Sequence, residues 1–215
     1  EYAVERIASI PTYVDLFAAA YPDLDEPLTY SNIANAIGAF ERTLTTPARF
    51  DDYLEGDLTA LSDVEKEGLQ VFINYGCAGC HNGPAIGGNM LARFGVTESY
   101  WEATRDFVTI DSPTMTMDVG LFAVTHDEND LYVFKVPSLR NITRTYPYFH
   151  DGSVWSLADA TQVMSRVQLG RELTEEDLGK LLAFFDSLEG EIPAYALQLP
   201  VLPASTETTP RPEFR

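Results

Sequence analysis

The chain is poor in cysteine, in basic residues and in long apolar runs. Its 215 residues include two Cys, and 14 Lys and Arg stand against 33 Asp and Glu, for a formal net charge of −19. Two cysteines are too few for a disulfide-rich scaffold. A chain this acidic is poorly suited to nucleic-acid phosphates or to an anionic membrane surface. No apolar run approaches the roughly 20 residues of a membrane-spanning helix, so we predict neither a membrane span nor a nucleic-acid partner.

Both cysteines belong to one short motif. Residues 77–81 read Cys-Ala-Gly-Cys-His, the C-x-x-C-H pattern of c-type haem attachment. Thiols at this spacing form thioethers to the porphyrin, and the adjacent imidazole becomes the proximal iron ligand. A thioredoxin-like pair would need a βαβ pattern and a zinc site a second ligand pair, and the sequence shows neither. We therefore predict one covalent haem c on Cys77, Cys80 and His81, and an exported, periplasmic protein whose signal peptide has been removed.

The second axial ligand is less clear from the sequence. A thioether at that position raises the reduction potential and suits electron transfer. Met90 lies too few residues after His81 to reach the other face of the ring easily. Met115 and Met117 lie in a predicted loop, whereas Met164 lies on a predicted helix. The residue pattern alone favours Met164 and the Met115/Met117 pair equally.

Helical patterns flank the motif on both sides. Each combines apolar residues at helical spacing with a capping or breaking residue at one end. The predicted helices lie within residues 4–20 (two short helices separated at Pro11), 29–47, 62–76, 153–170 and 174–190. Residues 82–130 have no sustained period and are predicted to be mostly loop, long enough to wrap a haem. Short strand signals occur at residues 122–124 and 132–136.

Two longer motifs follow this loop. Residues 134–141 read Phe-Lys-Val-Pro-Ser-Leu-Arg-Asn, and residues 147–153 read Pro-Tyr-Phe-His-Asp-Gly-Ser. Both resemble motifs of the bacterial di-haem cytochrome c peroxidase family, which includes the MauG-type enzymes. Shorter matches to the same family lie at residues 39–44, 50–54, 62–69 and 168–170.

The resemblance implies a fold and a function. Family members have two cytochrome c-like domains with one haem c each: an N-terminal peroxidatic domain and a C-terminal, high-potential electron-transfer domain ligated by His and Met. This chain, with one C-x-x-C-H, is similar to the C-terminal half. The implied fold is all-α, a class I cytochrome c-like domain with long haem-wrapping loops and flanking helices. The family's Met ligand falls fourteen residues after the motif histidine His150, which is Met164 here; MauG has Tyr at that position.

The resemblance implies further site residues. A calcium ion at the domain interface would be bound by the backbone carbonyls of Thr145 and Pro147, donors that suit a hard cation. Lys135 and Arg140 could pair with the haem propionates or, equally, with ordinary surface acids. His150 is either a structural histidine or a participant in electron or proton flow, and the structural role is the more frequent one for such a residue.

The expected domain organisation leaves one half of the family architecture outside the chain. Residues 1–44 would pack on the N-terminal haem domain, residues 45–192 would form the haem domain, and residues 193–215 a Pro-rich tail. The resemblance implies electron relay from a small cytochrome c or cupredoxin to a peroxidatic haem, in the same or a separate chain, that reduces hydrogen peroxide to water. No catalytic residue is then expected in this chain, and a homodimer is possible. The alternatives are a mono-haem electron carrier and a MauG-like enzyme acting on a protein substrate.

Overall fold

A computed structural model describes residues 2–107 and 117–211. The chain divides into two compact units. The first combines Glu1–Thr45 with Ile192–Arg215, and the second is the continuous stretch Thr46–Glu191. Within the described residues, each helix is too short or too polar to cross a membrane.

The first unit contains three helices and the Pro-rich tail. The helices are α1 (Tyr2–Ala8), α2 (Pro11–Ala20) and α3 (Tyr30–Glu41), and a 3₁₀ turn follows at Ala194–Leu197. Pro11 begins α2, where its missing N–H would have no helical partner. The tail lies against α1: the hydroxyl of Tyr2 donates to the Arg211 carbonyl (2.8 Å), and Ser9 Oγ donates to Thr209 Oγ1 (2.8 Å).

The second unit has six helices in its described part. They are α4 (Arg49–Leu54), α5 (Asp63–Tyr75), α6 (Tyr100–Thr104), α7 (Phe122–Thr125), α8 (Leu157–Leu169) and α9 (Glu175–Asp186). The main core forms where α5 packs on α9. The Phe72 and Phe184 rings lie 5.3 Å apart there, and Phe50 meets Phe184 edge-on at 5.4 Å.

Capping residues set most helix ends as predicted. Ser62 and Glu65 form a capping box at the start of α5, Ser156 caps α8, and Thr174 caps α9. The prediction for the last helix is wrong at its end, because α9 stops at Asp186 rather than running to Gly190.

Gly190 serves a different contact, which joins the two ends of the second unit. It forms an isolated antiparallel bridge with Ala48, and its N–H donates to Asn141 Oδ1 (2.9 Å). A Cβ at Gly190 would lie 2.3 Å from the carbonyl oxygen of Thr46. The close approach of these two segments therefore requires glycine.

A small antiparallel sheet corrects the expectation of a strictly all-α domain. Strands β1 (Leu91–Arg93) and β2 (Val133–Lys135) pair with Ala92 opposite Phe134. The protein is mainly helical, but part of the predicted loop and the strand signal at 132–136 form this sheet. The strand signal at 122–124 is wrong, because these residues begin α7; runs this short do not distinguish strand from helix.

Two glycines on the packed helices should respond oppositely to alanine. A Cβ at Gly68 in α5 would lie 2.0 Å from the Lys180 carbonyl oxygen of α9, so Gly68→Ala should lower the free energy of unfolding by about 1–3 kcal/mol through overpacking. A Cβ at Gly179 in α9 meets open space, so Gly179→Ala should raise it by about 0.5–1 kcal/mol. Urea unfolding followed by circular dichroism measures both changes. Shifts of the same sign would contradict the packing described for α5 and α9.

Candidate functional site

The C-x-x-C-H motif forms one tight turn at the end of α5. Gly76 ends the helix in the left-handed conformation (φ 98°), and Cys77–Gly79 follow as a single 3₁₀ turn. The N–H groups of Cys80 and His81 both donate to the Cys77 carbonyl, at 3.2 and 2.9 Å. Two half-buried free thiols and one imidazole are thereby presented from a single rigid segment.

These side chains open onto a cavity of about 400 Å³. Its walls are mostly apolar and come from α5, the sheet, residues 136–150, α8 and α9. Cys77, Cys80, His81 and Met164 all line it. The structure thus brings the thiols, the predicted proximal ligand and one of the candidate distal ligands to the same cavity.

His81 is held in a form that can bind a metal ion. Burial lowers the pKa of its imidazole, which favours the neutral ring that iron binds. Its Nδ1 atom is buried and has no hydrogen-bond partner among the described residues. Gly87 (φ 125°) packs beside it, and a Cβ there would lie 2.0 Å from the Pro137 carbonyl oxygen and 3.3 Å from His81 Nδ1. Glycine is therefore required at position 87 for the backbone at Pro137 to approach the His81 imidazole.

The three methionines that the structure describes lie in different places. Met164 projects from α8 and lines the cavity. Met117 is 48% exposed, and its sulfur accepts a hydrogen bond from the Tyr132 hydroxyl at 2.8 Å. Met90 is 38% exposed, and neither it nor Met117 lines the cavity. Met115, the remaining candidate, falls outside the described residues.

The two candidate cations occupy different places. Lys135 is exposed and lines the cavity. Arg140 makes a bidentate ion pair with Asp51, with both N–O distances 2.6 Å, and its Nε donates to the Pro84 carbonyl at 3.0 Å. Burial opposes ionisation of Asp51, but hydrogen bonds from Arg140 and from the Ala48 N–H hold its pKa below the usual value. Arg140 therefore ties α4 to the loop beside the motif.

Thr145 and Pro147 also line the cavity. Their carbonyl oxygens accept no hydrogen bond from the residues the structure describes. Across the part of the chain that the structure describes, no three or more His, Cys, Asp or Glu side chains are grouped so that they could bind a metal ion. A calcium site here depends on these carbonyls and on ligands from elsewhere, and it stays a prediction.

His150 contacts two aromatic neighbours that could not be predicted from the sequence. Its Nε2 lies 2.8 Å from the Tyr100 hydroxyl, and its ring stacks on Phe134 with centroids 4.2 Å apart. Burial raises the pKa of Tyr100, so the phenol stays protonated and can donate to Nε2. Tyr100 is 50 residues away in sequence and lies in the predicted loop, where no periodic pattern marks it.

The cavity fits a covalently attached haem. Its volume and mostly apolar walls are those of a cofactor site. Two thiols stand at the spacing of the porphyrin thioethers, and a neutral imidazole stands next to them. Cys77, Cys80 and His81 would hold the haem, and Met164 is the methionine among the described residues that lines the same cavity.

Comparison with known proteins identifies the family. A family profile described as di-haem cytochrome c peroxidase matches residues 1–59. The chain is 44% identical over 209 residues to the cytochrome c551 peroxidase of Pseudomonas aeruginosa, covering 97% of this chain and 57% of that protein. The chain belongs to the di-haem cytochrome c peroxidase and MauG family. Within this family, the cytochrome c551 peroxidase of Nitrosomonas europaea is 41% identical over 212 residues, covering 98% of this chain and 59% of that protein.

A solved structure of similar fold also matches this chain. This structure is of a MauG-like protein associated with microbial copper homeostasis, and it matches with a TM-score of 0.63 and 26% identity. The match covers 87% of this chain and 61% of that one. The chain thus spans less than two thirds of each of these three relatives.

Proposed function

We propose that the chain is the C-terminal, electron-transfer half of a di-haem cytochrome c peroxidase. Residues 45–192 would form the class I cytochrome c-like domain with one haem c. The observation that carries the proposal is that His81 and Met164 line the same cavity as Cys77 and Cys80. A His and a Met on one haem suit electron storage at high potential.

The cavity walls support electron transfer rather than peroxide cleavage. When bound, haem c supplies a one-electron couple. The thioether of Met164 and the mostly apolar walls would favour the reduced form of the haem and so raise its potential. The described residues that line the cavity include no Asp or Glu, so none of them offers a carboxyl group for general acid catalysis of O–O cleavage.

The peroxidatic step is then assigned to a second haem domain, in the same or a separate chain. That domain would reduce hydrogen peroxide to water with electrons from this one. The electron donor would be a small cytochrome c or cupredoxin in the periplasm, and two copies of the chain would form a homodimer. Calcium bound by the Thr145 and Pro147 carbonyls would lie at the junction with the peroxidatic domain.

One sequence feature favours a second candidate, a mono-haem electron carrier. The chain has a single C-x-x-C-H motif and would need no partner haem in that role. A MauG-like role is less favoured, because Met rather than Tyr stands at position 164.

Haem counting and donor kinetics on the purified 215-residue chain test the proposal. We expect one haem per chain by pyridine haemochrome, rapid reduction by a reduced c-type cytochrome, and no sustained peroxide turnover by the chain alone. Adding the peroxidatic domain should restore turnover, whereas a carrier would gain nothing from it. Sustained turnover of peroxide by the isolated chain would contradict the electron-transfer assignment.

A further inference from the structure

Two cations lie together on the small sheet at the edge of the cavity. In the β1–β2 register, Leu91 pairs with Lys135 and Arg93 pairs with Val133. Residues that pair directly, and residues two apart on a strand, share a face of the sheet. Arg93 and Lys135 therefore lie on one face as diagonal neighbours, about 7–8 Å apart.

This pair sits at the rim of the cavity rather than outside it. Ala92 and Phe134 on the opposite face of the sheet line the cavity, and so do Arg93 and Lys135. Because both faces contribute, the sheet meets the cavity edge-on. Both cations are exposed, so their long side chains can reach the cavity opening while their charged ends remain in water.

The two charges lack a partner among the described residues. Neither Arg93 nor Lys135 takes part in an ion pair there, although acidic residues outnumber basic ones by more than two to one in the chain. Two like charges on diagonal positions repel each other. Such a pair at the mouth of an apolar cavity indicates an anionic group that enters with the ligand.

The backbone of Arg93 is held firmly in place. Gln168 of α8 donates from Nε2 to the Arg93 carbonyl (3.0 Å), and its Oε1 accepts from the Gly95 N–H (2.6 Å). The Phe94 N–H donates to the Tyr132 carbonyl at 2.8 Å. A single amide side chain from α8 thus fixes the end of β1 relative to the cavity wall.

We propose that Arg93, together with Lys135, binds the two propionate carboxylates of the haem at this rim. The proposal rests on the proposed function, because the carboxylates belong to the haem that Cys77 and Cys80 would attach. Arg140 is not needed for this role, since its guanidinium is committed to Asp51 and Pro84. Two cations matched to two carboxylates compensate the charges that the porphyrin brings to the opening of an apolar cavity.

The assignment has a measurable consequence for the reduction potential. A nearby cation favours the reduced iron, which carries one positive charge less than the oxidised iron. Removing either cation should therefore lower the midpoint potential. A residue with a purely structural role would alter stability without this systematic shift.

The test compares charge-removing and charge-keeping variants of the haem-loaded chain. We expect Arg93→Gln and Lys135→Gln each to lower the midpoint potential while leaving covalent haem content unchanged. Because the two cations are close and can share the carboxylates, the double variant should fall below either single one without strict additivity. Arg93→Lys should restore most of the wild-type potential. Arg105→Gln is the matched control, because Arg105 is exposed and does not line the cavity.

The outcomes separate this proposal from the proposed function. A chain with no covalent haem would overturn both. Covalent haem with potentials equal to that of Arg105→Gln would overturn the propionate assignment alone. Unchanged potentials with a salt-dependent fall in the rate of reduction by the donor cytochrome would also overturn it, and would place the two cations at a partner-protein interface. A potential that falls in Arg93→Lys as far as in Arg93→Gln would contradict the charge argument.

Discussion

Replacing Cys77 and Cys80 together by alanine should abolish covalent haem attachment. The chain has no other cysteine, so no further thiol can form a thioether. His81 would still line the cavity, and haem could bind only through coordination and packing. Acidic organic solvent should then extract all of it, whereas the wild-type chain should keep one haem per polypeptide. Haem-stained denaturing gels and the pyridine haemochrome spectrum measure the loss.

Single variants and a cavity control sharpen this test. Cys77→Ala and Cys80→Ala should each leave one unreacted vinyl group and shift the haemochrome band. Ser165→Ala removes a buried hydroxyl from the same cavity that has no hydrogen-bond partner among the described residues, and it should leave attachment intact. Retention of covalent haem in the double alanine variant would refute the motif assignment.

Replacing Met164 by leucine should cause the second large effect, a fall in reduction potential. Leucine nearly preserves volume but has no sulfur to coordinate iron. The fall should be a sizeable fraction of the roughly 0.8 V range that axial ligands span. The open position should also give a high-spin ferric spectrum and let added cyanide bind. Redox titration followed by absorbance, with electron paramagnetic resonance of the ferric form, measures both changes.

The other methionines provide matched controls for this variant. Met90→Leu and Met117→Leu make the same chemical change outside the cavity and should leave the potential and spin state unaltered. Met164→His should keep the iron six-coordinate but still lower the potential, since it replaces a thioether by an imidazole. If Met117→Leu opened the sixth position and Met164→Leu did not, the distal ligand would have to be reassigned.

Local signals in the sequence predicted most of the helical architecture. Ser62 with Glu65, Thr174 and Gly170 act at helix ends where the pattern placed them, because capping depends on residues within one turn. The end of α9 was missed because Gly190 is used in a bridge to Ala48, a contact between residues far apart in sequence. The strand signal at 132–136 predicted β2, but β1 was missed, since a three-residue strand carries too little pattern to be recognised.

In the candidate site too, residues within a local motif could be predicted, whereas those brought together by the fold could not. Cys77, Cys80 and His81 could be predicted because their chemistry resides in one five-residue motif. The residue pattern could not choose Met164 over the loop methionines, because that choice depends on which element faces the cavity; the family resemblance was needed. Arg93 went unnoticed, since only the register of β1 and β2 places it beside Lys135.

The bridge between Ala48 and Gly190 has a consequence for the order of folding. The first unit is discontinuous, so its two segments can meet only once the intervening chain has brought their ends together. Closing a flexible loop the length of residues 49–189 costs on the order of 4 kcal/mol of chain entropy. The second unit meets that cost as its own core forms, because the bridge joins residues close to its two ends. We therefore expect the second unit to fold first and, by joining Ala48 to Gly190, to bring the two segments of the first unit within reach of each other.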